Sequence, residues 1–326
     1  MTTKKEFYLY GSPISHSPSP LLHNAGFQAL SLPYRYSLCE TTDIEKVVER
    51  LREPNTAGGS VTIPHKQTIM PFLDEISDSA ARIGAVNTVV KAEDGRLLGD
   101  NTDWLAIHDA VLSKLTHLAA SPGSRLELKG KKGLVIGAGG TAHAACYALS
   151  QLGLDLYVYN RTLDKAQRLV QRFGGVQALS NLDELLFASP EGKEQQGQSM
   201  VEVVIGTVPP TAGFELPEAI LQRTRVVVEL VYHPRRTPLI QQALKQKENG
   251  VRIEVVEGIE LLLLQGLCQF RIWTEGKGKQ AEEEEERQER AKRVIVQRML
   301  KEYRGGELLE NPPSTFLPFV PSSSNE

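Results

Sequence analysis

Cysteine is scarce and scattered. Cys39, Cys146 and Cys268 are the only three in 326 residues and none has CxxC spacing, which argues against a disulfide framework and a thiolate zinc site. Small buried residues in a reducing compartment are the expectation. Long apolar runs are missing too, since nothing approaches the roughly 20 residues that a membrane span needs, and the opening MTTKKEFYLYGS has no apolar signal-peptide core. A cytoplasmic protein with no membrane partner is expected. An excess of charge of one sign is also absent. With 37 basic and 40 acidic side chains the net charge is -3, which gives no nucleic acid or anionic surface a reason to bind. HExxH and any cysteine and histidine cluster are lacking, so zinc-assisted oxidation is not expected and no metal site is assigned.

What is present is alternation. FYLYG, YRYSLCE, GSVTIP, AVNTVVKA, GLVIGAG, LYVYNR, VVIGTV and VVVELVY read as strands with helical patterns between them, the order expected of an α/β protein with largely parallel sheets. At 326 residues the chain is long enough for two domains with separate cores. WLAIHDAVLSKLTHL reads as a helix leaving the first, and SPGSRLELKGKKG as a linker into the second. FASPEGKEQQGQSM is expected to be a surface insertion and NPPSTFLPFVPSSSNE a disordered tail. Within the block of five glutamates from Glu282, Glu283 with Arg287 and Glu286 with Arg290 fall at i,i+4 spacing. That pattern predicts a solvated helix rather than an acidic binding site.

GLVIGAGGTAHAACYAL is the strongest local signal: an apolar strand runs into Gly137, Gly139 and Gly140, then a helix with small residues. Glycines at such a turn let the backbone approach a pyrophosphate seated at the positive helix end. The spacing is GxGGxxH rather than GxGxxG, and a ligand-free turn is the bland reading. The next strand ends in Asn160, Arg161 and Thr162, where NAD-binding folds place an acidic residue for the ribose hydroxyls. Neutral and cationic groups there suit a 2′-phosphate, so NADP is favoured over NAD.

Three upstream stretches set polar groups among apolar ones: SVTIPHK, AVNT and GDNTD. Singly they read as a surface Lys66, a turn Asn87 and an N-capping Asp103. Together they supply a cation, a carboxylate and several hydroxyls and amides. Hydride transfer from an alcohol needs a group that takes the hydroxyl proton and returns it, and a Lys with an Asp can do both. GSPISHSPSPLLHN adds four serines in a short loop between a strand and a helix, a platform for a small ligand.

In series these stretches resemble the shikimate dehydrogenase family, which includes the quinate/shikimate dehydrogenases. GSPISHSPSPLLHN is similar to the family's GxPxxHSxSPxxHN, and SVTIPHK, GAVNTVV, GDNTD, GAGGTAHA, YNRT, ELVYHPRRTPL and GIELLLLQG follow in the family's order. The resemblance implies a two-domain α/β fold with an N-terminal substrate domain and a Rossmann-type dinucleotide domain facing it across a cleft. The substrate domain is expected over residues 1–104, completed by 258–326, because Gln265 lies beyond the dinucleotide domain of residues 105–257. Residue by residue, Ser17 and Ser19 match the clamp on a substrate carboxylate, with Tyr232 reaching it from the other domain. Thr62, Asn87, Asp103 and Gln265 match the groups on the ring hydroxyls, and Lys66 with Asp103 the catalytic pair. Lys66 is read as the proton-transfer group and Asp103 as the group that orients it and the reacting hydroxyl. Gly137, Ala138, Gly139, Gly140, Thr141, Asn160, Arg161, Thr162, Thr207 and Gly258 form the expected cofactor set.

The chain departs from the family at His143, where many relatives have arginine, and at Ser60, Ala106 and Glu229, which replace asparagine, glycine and aspartate. None removes a catalytic group. The expected activity is interconversion of quinate with 3-dehydroquinate, of shikimate with 3-dehydroshikimate, or both, using NADP or NAD, by a monomer or homodimer. SVTIP, NTDW and VYNRT resemble lineages that carry the biosynthetic activity in a larger multifunctional enzyme, which tilts a stand-alone chain toward quinate. The alternative is a non-catalytic paralogue that senses the acid or the nucleotide; loss of Lys66 or Asp103 would mark it, and both are present.

Overall fold

FYLYG lies in β1 (Lys5–Gly11), which pairs in parallel with β2 (Tyr34–Glu40) on one side and β3 (Thr56–Val61) on the other. In the computed structural model, which describes residues 4–119, 126–187, 200–275 and 281–303, these strands found the first sheet. α1 (Ser19–Ala29) and α2 (Ile44–Arg52) make the crossovers. α2 starts where the Asp43 side chain accepts from Glu45 N at 3.0 Å, as an N-cap does. Its Val47 and Leu51, one turn apart, are buried with Tyr10, Val61 and Val89.

α3 (His65–Thr68), β4 (Glu75–Ile76), α4 (Asp78–Ile83), β5 (Thr88–Lys91) and β6 (Leu97–Asp100) complete the sheet in the order β2-β1-β3-β5-β6-β4. β5 runs antiparallel to both β3 and β6, an exception to the parallel expectation. For the β5–β6 pair the reason is local: Ala92 N bonds Arg96 O at 2.9 Å across a tight turn, and so short a connection joins only antiparallel strands.

The second sheet is parallel throughout. After α5 (Asp103–His117) come β7 (Lys132–Ile136), α6 (Gly140–Gln151), β8 (Asp155–Tyr159), α7 (Leu163–Phe173) and β9 (Gln177–Leu179). Then follow α8 (Glu184–Phe187), β10 (Val201–Gly206), α9 (Glu218–Leu221), β11 (Thr224–Glu229), α10 (Pro238–Glu248) and β12 (Glu254–Val256). The strand order is β12-β11-β10-β7-β8-β9. This doubly wound order reverses between β7 and β10, the switch point at which such sheets bind ligands. β7 and β10 are buried along their whole length, which is why they read as near-continuous apolar runs rather than alternating ones.

α11 (Gly258–Thr274) and α12 (Ala281–Glu302) follow. By contacts the chain forms two compact units, Met1–Thr102 with Leu262–Glu326 and Asp103–Leu261. Within the first, Trp273 Nε1 donates to Val89 O at 3.2 Å and its ring packs on Phe7 at 5.0 Å, so the far half of α11 seats on the sheet. The glutamate block opens α12, where Arg287 is bound to Glu284 at 3.1 Å and Arg290 to Ala29 O at 3.0 Å. Apart from Phe187 and Met200, the expected insertion lies outside the described residues, as does the expected tail. No helix among the described residues is long and apolar enough to cross a membrane.

Candidate functional site

In the first unit the serine loop is welded to the loop after β3. Ser12 N donates to Ile63 O and Thr62 N to Tyr10 O, both at 2.9 Å. Gly11 makes this possible, since a Cβ there would collide with the Thr62 methyl and stand 2.6 Å from Ile63 O. The four serines then part company. Ser12 Oγ bonds Glu40 at 3.3 Å and Ser15 is exposed, whereas Ser17 Oγ donates to Ser19 Oγ at 3.1 Å and accepts from Ser19 N at 3.3 Å. The pair stands at the start of α1, whose first turn holds no acidic residue and whose Ncap residue, Pro18, makes no side-chain cap. Main-chain N–H groups and hydroxyls so placed suit an anion.

Thr62 is half-buried, and its carbonyl accepts from His65 N at 2.8 Å to open α3. Lys66 is half-buried on α3, and its main-chain oxygen accepts from Val86 N at 2.7 Å. This ties the lysine's helix to the turn that carries Asn87. Asn87 Oδ1 accepts from Thr102 N at 2.8 Å and Thr88 Oγ1 at 2.7 Å, while Nδ2 donates to Thr102 Oγ1 at 3.0 Å and Gln265 Oε1 at 3.3 Å. Asn87, Thr88 and Thr102 are buried and Gln265 half-buried. Ser17, Ser19, Thr62, Lys66, Asn87 and Gln265 thus all belong to one unit.

Asp103 and the expected cofactor residues belong to the other. Asp103 is the first residue of α5 rather than a cap preceding it, and is half-buried. Gly137, at φ +114°, turns the chain after β7, and a Cβ on it would strike Thr207 Oγ1. Thr207 itself is held at the end of β10, its Oγ1 donating to Ile136 O at 2.8 Å. Gly139 is the Ncap residue of α6, with no side chain to cap the helix and no acidic residue in the first turn, which Gly140 and Thr141 open. The turn lies at the switch point of the sheet and its Ncap glycine offers the first-turn N–H groups no side-chain cap, so the cradle fits a pyrophosphate. Ala138 and Thr141 flank it. Beyond β8, Asn160 Nδ2 bonds Thr162 O at 2.9 Å, and Arg161 and Thr162 are exposed.

Tyr232 is half-buried on a loop pinned by two buried glutamates. Glu229 accepts from Val231 N and from Thr237 Oγ1, each at 3.0 Å. Its carboxyl is pushed above the usual range by burial, against the pull of those bonds. Glu257, just before Gly258, pairs with Arg235 and, at 3.4 Å, with Arg236. The glutamate found in place of an aspartate therefore holds the Tyr232 loop.

Sequence reasoning missed five groups of the first unit: Tyr36, Thr88, Thr102, Gln269 and the bonding role of Ser60. Tyr36 Oη donates to Ser60 Oγ at 2.7 Å, which donates to Gln269 Oε1 at 2.8 Å. One signal was available, since Gln265 and Gln269 are polar at i,i+4 within the apolar LLLLQGLCQF. No group of three or more His, Cys, Asp or Glu among the described residues could hold a metal.

Comparison with known proteins bears on this arrangement. Residues 9–89 match the shikimate dehydrogenase substrate binding domain and residues 118–189 match shikimate / quinate 5-dehydrogenase. The pentafunctional AROM polypeptide of Lachancea thermotolerans is 38% identical over 286 residues, covering 83% of this chain and 17% of the relative. The chain thus spans about a sixth of the length of the curated relatives it matches. Among solved structures, the dehydroquinate dehydratase and shikimate dehydrogenase of the S. pombe polypeptide is 32% identical with a TM-score of 0.67, covering 90% of this chain and 53% of that one. The Thermus thermophilus shikimate 5-dehydrogenase, solved with NADP(H) and shikimate, is 30% identical with a TM-score of 0.66, covering 89% of this chain and 99% of that one. With both domains of the enzyme matched in order and a whole relative spanned at this identity, the chain belongs to the shikimate dehydrogenase family.

Proposed function

We propose that the chain is an NADP-dependent oxidoreductase that interconverts shikimate and 3-dehydroshikimate, with quinate and 3-dehydroquinate as a second pair. One observation carries the reading. Asn87, Thr102 and Gln265, up to 178 residues apart, converge in one hydrogen-bonded cluster in the same unit as the Ser17–Ser19 pair and Lys66. A ring carrying a carboxylate and several hydroxyls presents many donors and acceptors, and each must be met when water leaves.

In this reading Ser17, Ser19 and Tyr232 bind the carboxylate, and Thr62, Asn87 and Gln265 bind the ring hydroxyls. Lys66 takes the proton of the reacting hydroxyl during oxidation and returns it to the carbonyl oxygen during reduction. Asp103 accepts a hydrogen bond from the ring and orients the reacting hydroxyl. The glycine turn from Gly137 to Gly140 would hold the pyrophosphate, and Asn160, Arg161 and Thr162 the 2′-phosphate of NADP. When bound, the dinucleotide supplies the hydride acceptor or, reduced, the hydride donor. NADP is also what the Thermus relative holds.

The test is initial rates with shikimate and quinate, each with NADP and NAD, for the natural protein and Lys66→Ala. Turnover with shikimate and NADP is expected, lowered at least a hundredfold by the substitution, as loss of a general acid–base predicts. No turnover with any pair sinks the enzyme reading, and a fully active Lys66→Ala sinks the assignment of the lysine.

A further inference from the structure

We propose that His65 is a positioning residue for Lys66: its ring fastens the one-turn helix α3 to the end of β2 and so fixes where the lysine stands. The inference rests on the reading of Lys66 as the proton-transfer group.

SVTIPHK sets the histidine directly beside the lysine, and nothing in the proposed chemistry uses its ring. The residue is only 1% exposed, and burying an imidazole costs free energy unless its polar atoms are met. His65 Nε2 lies 2.8 Å from the main-chain oxygen of Thr41. A carbonyl oxygen can only accept, so Nε2 carries the hydrogen and donates it.

This bond crosses the sheet. In the order β2-β1-β3, β2 and β3 are not neighbours, yet Thr41 directly follows β2 and His65 lies just beyond β3. The ring therefore bridges, past the end of β1, two strands that are two spacings or roughly 9–10 Å apart. Its anchor is itself fixed. The β1–β2 pairing ends with Gly11 and Glu40, but Thr41 N still donates to Gly11 O and Thr41 Oγ1 accepts from Asp43 N, each at 3.0 Å. With its nitrogen and hydroxyl engaged, Thr41 offers the histidine a carbonyl that does not move.

α3 needs such a tie because it has four residues, and so short a helix is not stable without tertiary support. His65 N donates to Thr62 O at 2.8 Å where the turn begins, and Lys66 O accepts from Val86 N at 2.7 Å. The His65 ring adds a hold on the β2 side. Without it the turn would pivot about the Val86 bond and carry Lys66 with it. The serine loop and Thr62 have separate attachments, from Ser12 N to Ile63 O and from Thr62 N to Tyr10 O, both at 2.9 Å. The histidine thus acts on the proton-transfer group more than on the carboxylate clamp. A general acid–base must bring its nitrogen within about 2.6–3.2 Å of the reacting oxygen, and a displacement of about 1 Å costs on the order of a hundredfold in rate.

Two variants separate the hydrogen from the ring. His65→Phe keeps an aromatic ring and removes the hydrogen, whereas His65→Gln removes the ring and places an amide N–H near the position of Nε2. With shikimate and NADP, His65→Phe is expected to lower kcat about ten- to a hundredfold while both KM values change less than about threefold. His65→Gln is expected to recover kcat to within about fivefold of the natural protein. An unchanged kcat in His65→Phe, a His65→Gln no better than His65→Phe, or KM values that rise as far as kcat falls overturns the proposal.

The second measurement is hydrogen exchange by NMR in full-length protein labelled with 15N. A His65 Nε2–H signal protected from exchange, assigned by its loss in His65→Gln, is expected in the natural protein; its absence overturns the proposal before any variant is assayed. The Val86 amide is expected to exchange about tenfold faster in His65→Phe, as a locally loosened turn does, and unchanged exchange there also overturns it. If the natural protein turns over neither acid, the dehydrogenase reading fails, while the exchange data still decide whether His65 holds α3.

Discussion

Gln269 Nε2 donates to the main-chain oxygen of Asn87 at 3.1 Å across 182 residues of sequence. That single bond joins the last long apolar helix to the turn between α4 and β5. It places the i,i+4 partner of Gln265 under the residue that Gln265 contacts, so α11 brings two amides to one strand end.

The serine pair makes the first prediction. Ser17→Ala and Ser19→Ala should each lower kcat/KM for shikimate by about ten- to a hundredfold, since a hydrogen bond to a charged group contributes roughly 1.5–3 kcal/mol. Ser15→Ala, at an exposed position of the same loop, should leave it within twofold. Steady-state kinetics of the three variants checks this; equal effects at Ser15 and Ser17 would show that the loop as a whole matters and the pair does not.

Gly137→Ala tests the nucleotide turn. The position combines φ +114° with a neighbour, Thr207 Oγ1, that a Cβ would strike. Strain of roughly 1–3 kcal/mol is expected, together with at least tenfold weaker NADP binding by fluorescence titration. Gly153→Ala also has positive φ, at +76°, but open space around it. It should reproduce part of the strain and none of the binding loss.

Arg161 separates the two dinucleotides. It is exposed beyond β8, so Arg161→Ala should leave stability alone and raise the KM for NADP more than that for NAD. A change of about tenfold corresponds to the loss of one charge-assisted hydrogen bond. Equal shifts for the two cofactors would remove the 2′-phosphate assignment.

His23 governs a pH dependence. Burial, with the ring stacked on Tyr36 and close to Trp273, pushes its pKa down to about 3. In the unfolded chain the imidazole titrates near about 6.5, so below that pH the unfolded state binds a proton that the folded state refuses. Its contribution is therefore fully present above the unfolded value and falls by up to about 1.4 kcal/mol per pH unit as the pH drops toward 3. Urea unfolding at pH 5 and pH 7.5 should show a smaller difference for His23→Phe than for the natural protein.

The strands that were legible in the sequence are mostly the longer ones. FYLYG, YRYSLCE and VVVELVY stand out because β-branched and aromatic residues fill them. β4, β6, β9 and β12, of two to four residues each, are too short for any period to show. The antiparallel pairing of β5 with β6 was hidden for a related reason, since it follows from the tightness of the Ala92–Arg96 turn and not from the residues of the strand itself. At the site, Lys66, Asn87 and Asp103 could be found because each is a polar group in an apolar setting. Tyr36 and the bonding role of Ser60 could not, because an aromatic residue in one strand and a serine in another look ordinary until their partners are known.

By itself the sequence determined the alternating α/β pattern, the glycine turn with its non-acidic second strand, and the order of motifs that places the chain in its family, because each is written in neighbouring residues. Tertiary structure alone decided which polar groups meet. Lateral pairing of β2, β1 and β3 sets Tyr36 against Ser60, and the return of α11 sets Gln269 against Asn87. Hydrogen bonds act over about 3 Å of space and carry no memory of separation along the chain, so the direction in which the Asn87 amide points was settled only when the chain closed on itself.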